Sequence, residues 1–201
     1  MKGVVETISA LLISAVLISV VGTVYFWGLP LIQKNKDVSV LEGTEDFMHE
    51  LNNRIKLVAN LGGTEQLQFN QPGMIRFDGS TIQVALDTEG TIYFTEAPVP
   101  LSRNNPSISA GLWGADEPEV IYVTSTSIGG SRYNDKFTLR YIPLEVNPDP
   151  VSTKEFHIEL YGVDSVGGQG DNVILTNEGT SQETTPEGKT IVKTRVKVSV
   201  E

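Results

Sequence analysis

The chain opens on a run with no polar face. No side chain between Thr7 and Gln33 is charged, and the stretch from Ile8 to Trp27 is apolar on every side. A helix rises about 1.5 Å per residue, so this run is long enough to cross a hydrocarbon core of about 30 Å. A helix packed on a soluble body shows one apolar stripe; this one keeps no side for water. Ser9, Ser14, Ser19, Gly22 and Thr23 fit the same picture. Their hydroxyls can bond back to carbonyls of their own helix, and their small size lets another helix come close. Tyr25, Phe26 and Trp27 close the run, where an aromatic belt meets lipid headgroups. Gly28 and Pro30 predict a break or kink, and Gln33 to Asp37 returns the chain to water.

From there the period changes. Val38 to Leu41 reads as a short extended piece ended by Glu42-Gly43. Thr44 reads as a helix N-cap, with Glu45 and Asp46 in the first turn, where negative charge meets the helix dipole. Phe47, Leu51, Ile55 and Val58 recur at helical spacing, and Gly62-Gly63 supplies a stop. These features predict a short amphipathic helix from about Glu45 to Leu61. Beyond it the period is two. Gln66–Asn70, Met74–Phe77, Thr81–Leu86 and Thr91–Thr95 alternate between Gly-containing turns, the pattern of a β-meander with one wet face. After an irregular stretch from Ala97 to Pro118, further strands are expected at Glu119–Thr124, Lys136–Ile142, Glu155–Tyr161, Asn172–Thr176 and Thr190–Val200. In the last, Val192, Thr194, Val196, Val198 and Val200 alternate with Lys193, Arg195, Lys197 and Ser199. The charged face marks a solvent side and a guard against edge pairing. The expected fold class is mainly β: a hydrophobic helix over residues 4–36, then an antiparallel, sandwich-like domain over 37–201 that carries one short helix.

Composition narrows the partners. The chain has 201 residues, with Lys+Arg 15, Asp+Glu 25 and a formal net charge of −10. Such a balance argues against nucleic acid, which requires a basic face. Lys and Arg do not cluster in the way that binds anionic lipid. Cysteine is absent, which leaves no disulfide framework and no thiolate metal site. The apolar run is too long for a cleaved secretory signal, and Tyr-Phe-Trp-Gly is a poor cut site.

The head of the chain, Lys2-Gly3-Val4-Val5-Glu6-Thr7-Ile8, resembles archaeal type IV pilins and pilin-like proteins with class III signal peptides. These carry a very short basic leader ending in Gly, followed at once by an apolar helix. The resemblance implies that residues 1–3 are a leader and that a prepilin peptidase-like enzyme cuts between Gly3 and Val4. It implies that the helix sits in lipid first and later packs in a filament core through self-association with other pilin-like subunits. Glu6 would then be third in the mature chain, whereas bacterial pilins carry their acid at the fifth position. By this likeness Glu6 could pair with the new amino terminus of a neighbour, or simply sit at the lipid interface. Gly22 would allow close helix packing. The positive-inside rule, counted from Lys2 against Lys34 and Lys36, places the domain in the cytoplasm; the resemblance places it on the extracytoplasmic face, at the cell surface.

Little in the sequence carries chemistry. His49 and His157 do not stand at metal-ligand spacing, and a structural or surface role is expected for each. Gly162 to Asp171 is Gly-rich with two acids, but it lacks the Lys-Ser/Thr of a phosphate loop and the acid spacing of an EF-hand, so a hairpin loop is expected. Asp116, Glu117 and Glu119 read as solvated charge. Trp113 is expected to plug a core or cover a sheet edge, the other reading being a contact with a neighbouring subunit. No catalytic residue, metal site or cofactor is expected. The function expected is a structural subunit or accessory component of a pilus-like filament. The alternatives are a single-span surface domain that binds a protein or surface-layer partner without polymerising, and, more distantly, a membrane-tethered enzyme.

Overall fold

A computed structural model describes residues 2–93, 96–101, 119–146, 154–186 and 188–201, with the backbone alone for residues 2–7, 119, 145 and 146. One helix, α1 (Lys2–Leu61), takes up 60 residues, about 90 Å at the usual rise. The short helix expected from Glu45 is therefore no separate element; it is the last third of α1. The predicted extended piece at Val38–Leu41 and the N-cap at Thr44 are corrected with it.

The reason lies in packing. Asp37, Leu41, Thr44, Met48, Leu51, Ile55 and Val58 are all buried, at alternating spacings of four and three residues, which keeps one seam of a helix facing a partner. Burial of that seam overrides the weak helix propensity of Val38, Val40, Gly43 and Thr44. The polar members are satisfied within the helix as well as by the body. Thr44 Oγ1 donates to the Val40 carbonyl at 2.8 Å, and Gln33 Nε2 donates to Asp37 Oδ1 at 2.9 Å. The helix also runs through Pro30 without a break, although proline leaves the Phe26 carbonyl without its usual donor.

Among the described residues the body has eleven strands: β1 (Thr64–Gln68), β2 (Met74–Phe77), β3 (Ile82–Thr88), β4 (Val99–Pro100), β5 (Glu119–Gly129), β6 (Arg132–Tyr141), β7 (Leu144–Val146), β8 (Lys154–Tyr161), β9 (Ser165–Gly168), β10 (Asn172–Thr184) and β11 (Thr190–Val200). They form two sheets, ordered β1-β10-β11-β8-β7 and β4-β5-β6-β3-β2-β9. Pairing is antiparallel except between β11 and β8, which run parallel. Among the described residues the predicted meander survives only as the β2–β3 hairpin; the end of its expected fourth strand, residues 94 and 95, lies outside them. β1 crosses to the other sheet and pairs with β10, Thr64 opposite Thr176. β11 is flanked on both sides, so its charged face guards no edge. The Gly-rich stretch after Gly162 contains β9, which pairs with β2.

The inward faces of both sheets and the buried seam of α1 share one core, with Phe69, Phe77, Phe137, Leu139, Val196 and Val198 at its centre. Phe47 and Phe69 meet edge to face, centroids 5.1 Å apart, which ties helix to body. Gly162 shows why this sequence is Gly-rich: a Cβ there would stand 2.3 Å from the Val198 carbonyl oxygen. Close backbone approach, rather than a bound phosphate, accounts for that glycine. The expectation for Trp113, Asp116 and Glu117 lies outside the described residues.

Candidate functional site

The feature that most needs a partner is the first half of α1. Sixteen large apolar side chains from Ile8 to Ile32 are exposed, with Ile18 at 72%, Phe26 at 78% and Trp27 at 81%. None of the apolar window in this helix is buried inside the molecule, and it is long and apolar enough to cross a membrane. Removing a large apolar side chain from water is worth about 1.5–3 kcal/mol. Sixteen of them, even partly covered, amount to on the order of 20 kcal/mol, more than the typical net stability of a domain. A helix carrying that debt does not stay bare in water.

Within this rod the hydroxyls behave as the pattern predicts. Ser14, Ser19 and Thr23 donate to the carbonyls of Ala10, Ala15 and Ser19 at 2.8, 2.9 and 2.8 Å. No hydroxyl among these three is left to ask for water. Gly22 lies between them, and nothing stands within 4 Å of a Cβ built there, so the room a bulkier residue would fill is room outside this chain. Gly3, Val4 and Glu6 lie in the first turns of α1; their side chains are outside the described residues.

The second half of α1 is fixed to the body by a row of polar contacts that the sequence did not disclose. At its upper end Asp37 Oδ2 accepts from the Glu89 amide at 3.0 Å. Two turns along, Tyr93 Oη donates to Glu45 Oε2 at 3.2 Å. Burial, then the Glu45 carboxylate beside it, raises the Tyr93 phenol well above its ordinary value. Tyr141 Oη donates to Asn52 Oδ1 at 2.6 Å. Arg54 bridges Glu50 and Glu65 at 2.7 and 2.6 Å. At the end, Asn177 Nδ2 donates to the carbonyls of Val58 and Ala59 at 2.8 and 3.4 Å, and the Asn177 amide donates to the Gly63 carbonyl at 2.9 Å. The last carbonyls of a helix have no partner within it; a strand residue supplies one here. Gly62 turns the chain with φ +79°, the usual way out of a helix.

Behind Tyr93 lies a buried polar knot. Asp135, wholly buried, accepts from Thr88 Oγ1 and Thr91 Oγ1, each at 2.8 Å. Thr91 Oγ1 in turn accepts from the Tyr93 amide at 3.0 Å. The knot holds the chain after β3 in the conformation that brings Glu89 and Tyr93 to the helix. Its oxygens are engaged with one another, which leaves it a structural clamp.

Little else gathers chemistry. Among the described residues no group of three or more His, Cys, Asp or Glu could hold a metal ion. His49 and His157 are not brought together: His49 Nε2 stands 3.8 Å from Glu45 Oε1 on α1, and His157 lies on β8 opposite Lys193. A cavity of about 330 Å³ opens between the last turn of α1 and the far half of the β8–β11 face, over Ala59, Leu144, Phe156, Ile158 and Val192. His157 reaches its lining, but among the described residues no carboxylate does. Among known proteins the chain matches no family model, no curated protein and no solved structure.

Proposed function

We propose that this chain is a structural subunit or accessory component of a surface filament of the archaeal type IV pilus kind, held in the membrane before assembly. One observation carries the reading: a single unbroken helix is apolar and bare over its first half and built into a folded body over its second. A helix of that form can be passed from lipid to a bundle of like helices without unfolding anything. Transfer into a shared core would cover the same apolar area at about 25 cal/mol per Å². Repeated head to tail, the contact would be heterologous and would not close on itself.

In this reading a membrane peptidase cuts after Gly3, Val4 becomes the first residue, and Glu6 pairs with the new amino terminus of a neighbour. Gly22 marks where helices approach closely, and the body lies on the extracytoplasmic face. N-terminal sequencing of the protein from its native membrane tests this. The expected first residue is Val4, and Gly3→Arg should leave Met1 in place and abolish filaments. Gly22→Leu should keep the chain in the membrane yet stop assembly. An intact Met1 on the mature wild-type protein, with Gly22→Leu indistinguishable from it, would make the chain a tether that never polymerises.

A further inference from the structure

The contacts along α1 act as a ruler for the body. Tyr141, at the end of β6, bonds to Asn52. Thr88, opposite Tyr133 near the start of β6, is followed by Glu89, which bonds to Asp37. From Asn52 to Asp37 the helix spans about 22 Å. From Tyr141 to Tyr133 the strand spans about 26 Å. The two lengths nearly agree, so β6 lies close to the helix axis, with its start toward the amino-terminal end of α1. The β5–β6 hairpin does not stop at Tyr133. It continues through Arg132 to a turn at Gly129-Gly130, about 10 Å further at the strand rise. Projected on α1, the turn stands level with Leu31 and Ile32, the last residues of the apolar rod.

This tip is bare. Every residue from Thr126 to Arg132 is exposed, and Ile128 keeps 48% of its surface open. Ile92, next to the Asp37–Glu89 contact, is also exposed. The exposed charged groups at this level are Lys34 and Lys36 on the helix, Arg132 on the hairpin, Asp87 on β3 and Glu89 just after it; Asp37 is buried against the Glu89 amide. Arg132 Nη2 lies 3.4 Å from Asp87 Oδ2, both side chains more than half exposed, a pair weak enough to exchange for another anion.

The geometry points to the β5–β6 turn as a second membrane contact: it rests in the headgroup layer of the bilayer that α1 crosses, with Ile128 in the interface and Arg132 against lipid phosphate. A body held by one helix alone could lean in any direction. A second contact on one side fixes its tilt, and with it the face presented to a neighbour. The inference rests on the membrane stage of the proposed function and on nothing about the filament.

The absence of cysteine makes the test direct. The full chain is placed at one copy per lipid nanodisc of phosphatidylcholine with a minor share of phosphatidylglycerol. A nitroxide is attached at Ile18→Cys, Ile128→Cys or Ser181→Cys, and its collisions with oxygen and with a water-soluble nickel complex are compared. Ser181 serves as the aqueous reference, because β10 meets the far end of α1 through Asn177. The oxygen-to-nickel ratio should be highest at 18 and lowest at 181. At 128 it should be several-fold above 181, and Ser131→Cys should repeat that reading from the other limb of the turn. A hydrocarbon signal at 18 with 128 and 131 no different from 181 would overturn the hairpin contact and leave the anchor standing. An aqueous signal at 18 would bring down the anchor, and the hairpin contact with it.

Discussion

The two halves of α1 belong to one unbroken helix and face opposite problems. From Ile8 to Ile32 the large apolar side chains point in all directions and stand exposed. From Asp37 to Val58 most of them gather on one seam, and that seam is buried, with Leu57 left exposed off it. Contacts from the body mark the contrast as well. In the first half the hydroxyls of Ser14, Ser19 and Thr23 fold back on the helix; Thr44 does the same in the second half, but there Tyr93, Tyr141 and Asn177 also reach the helix from the body. The lesson is that a helix's surroundings are written in where its polar groups are satisfied, more than in how apolar it is. One half is finished by its own fold; the other needs a second phase, lipid or other helices.

Truncation should separate the halves most sharply. Leu51 is completely buried, and Leu51→Ala should cost the body about 2–5 kcal/mol, since a cavity is left as well as the burial of the removed carbons lost. Leu17, exposed in the rod, should change body stability by less than about 0.5 kcal/mol as Leu17→Ala. Urea unfolding of the full chain in micelles, followed by far-ultraviolet signal from the strands, reads both. Equal effects would mean that the rod packs on the body and that the contrast between the halves is false.

That contrast was legible in part. The rod declared itself, because an all-round apolar run admits few readings. The seam from Leu51 to Val58 was also visible, as was β11 to the residue. The joint was not. Val38, Gly43 and Thr44 are poor helix formers read singly, and only the burial of Leu41 and Thr44 under the body makes them helical. The crossing of β1 to β10 was hidden for a related reason: nearest-neighbour pairing is the default reading of alternating strands, and long-range pairing leaves no local mark. Asn177 carried a faint signal, since Asn-Glu-Gly is a bulge sequence, but nothing in it said that the amide would cap a helix more than a hundred residues earlier.

That cap offers the next test. Asn177→Ala removes the donor to the Val58 and Ala59 carbonyls and should cost about 1 kcal/mol. The effect should be local. Hydrogen exchange at the Leu61 and Gly62 amides should rise, while the amides around Asn52 keep their protection. Uniform loss of protection along Asp37–Val58 would show that the end of α1 is not held separately, and that the second half is one cooperative block.

The smallest effect concerns the other end of the seam and is best read through pH. At neutral pH, Tyr93→Phe loses one partly buried hydrogen bond to Glu45, worth about 0.5–1 kcal/mol. The folded state holds the Tyr93 phenol above its ordinary value of 10.0, through burial and then through Glu45. A proton held more tightly in the folded state contributes stability that is fully present below the unfolded pKa of about 10. That stability is lost as pH rises from there through the folded value. The wild type should therefore fall in stability more steeply than Tyr93→Phe above about pH 10, and the two should differ by a constant amount between pH 6 and 9. Denaturation midpoints at pH 8 and pH 11 suffice to read it. Parallel slopes above pH 10 would mean that the phenol reaches water at the joint, and that Asp37 and the buried Asp135 clamp, rather than Tyr93, hold this end of the seam to the body.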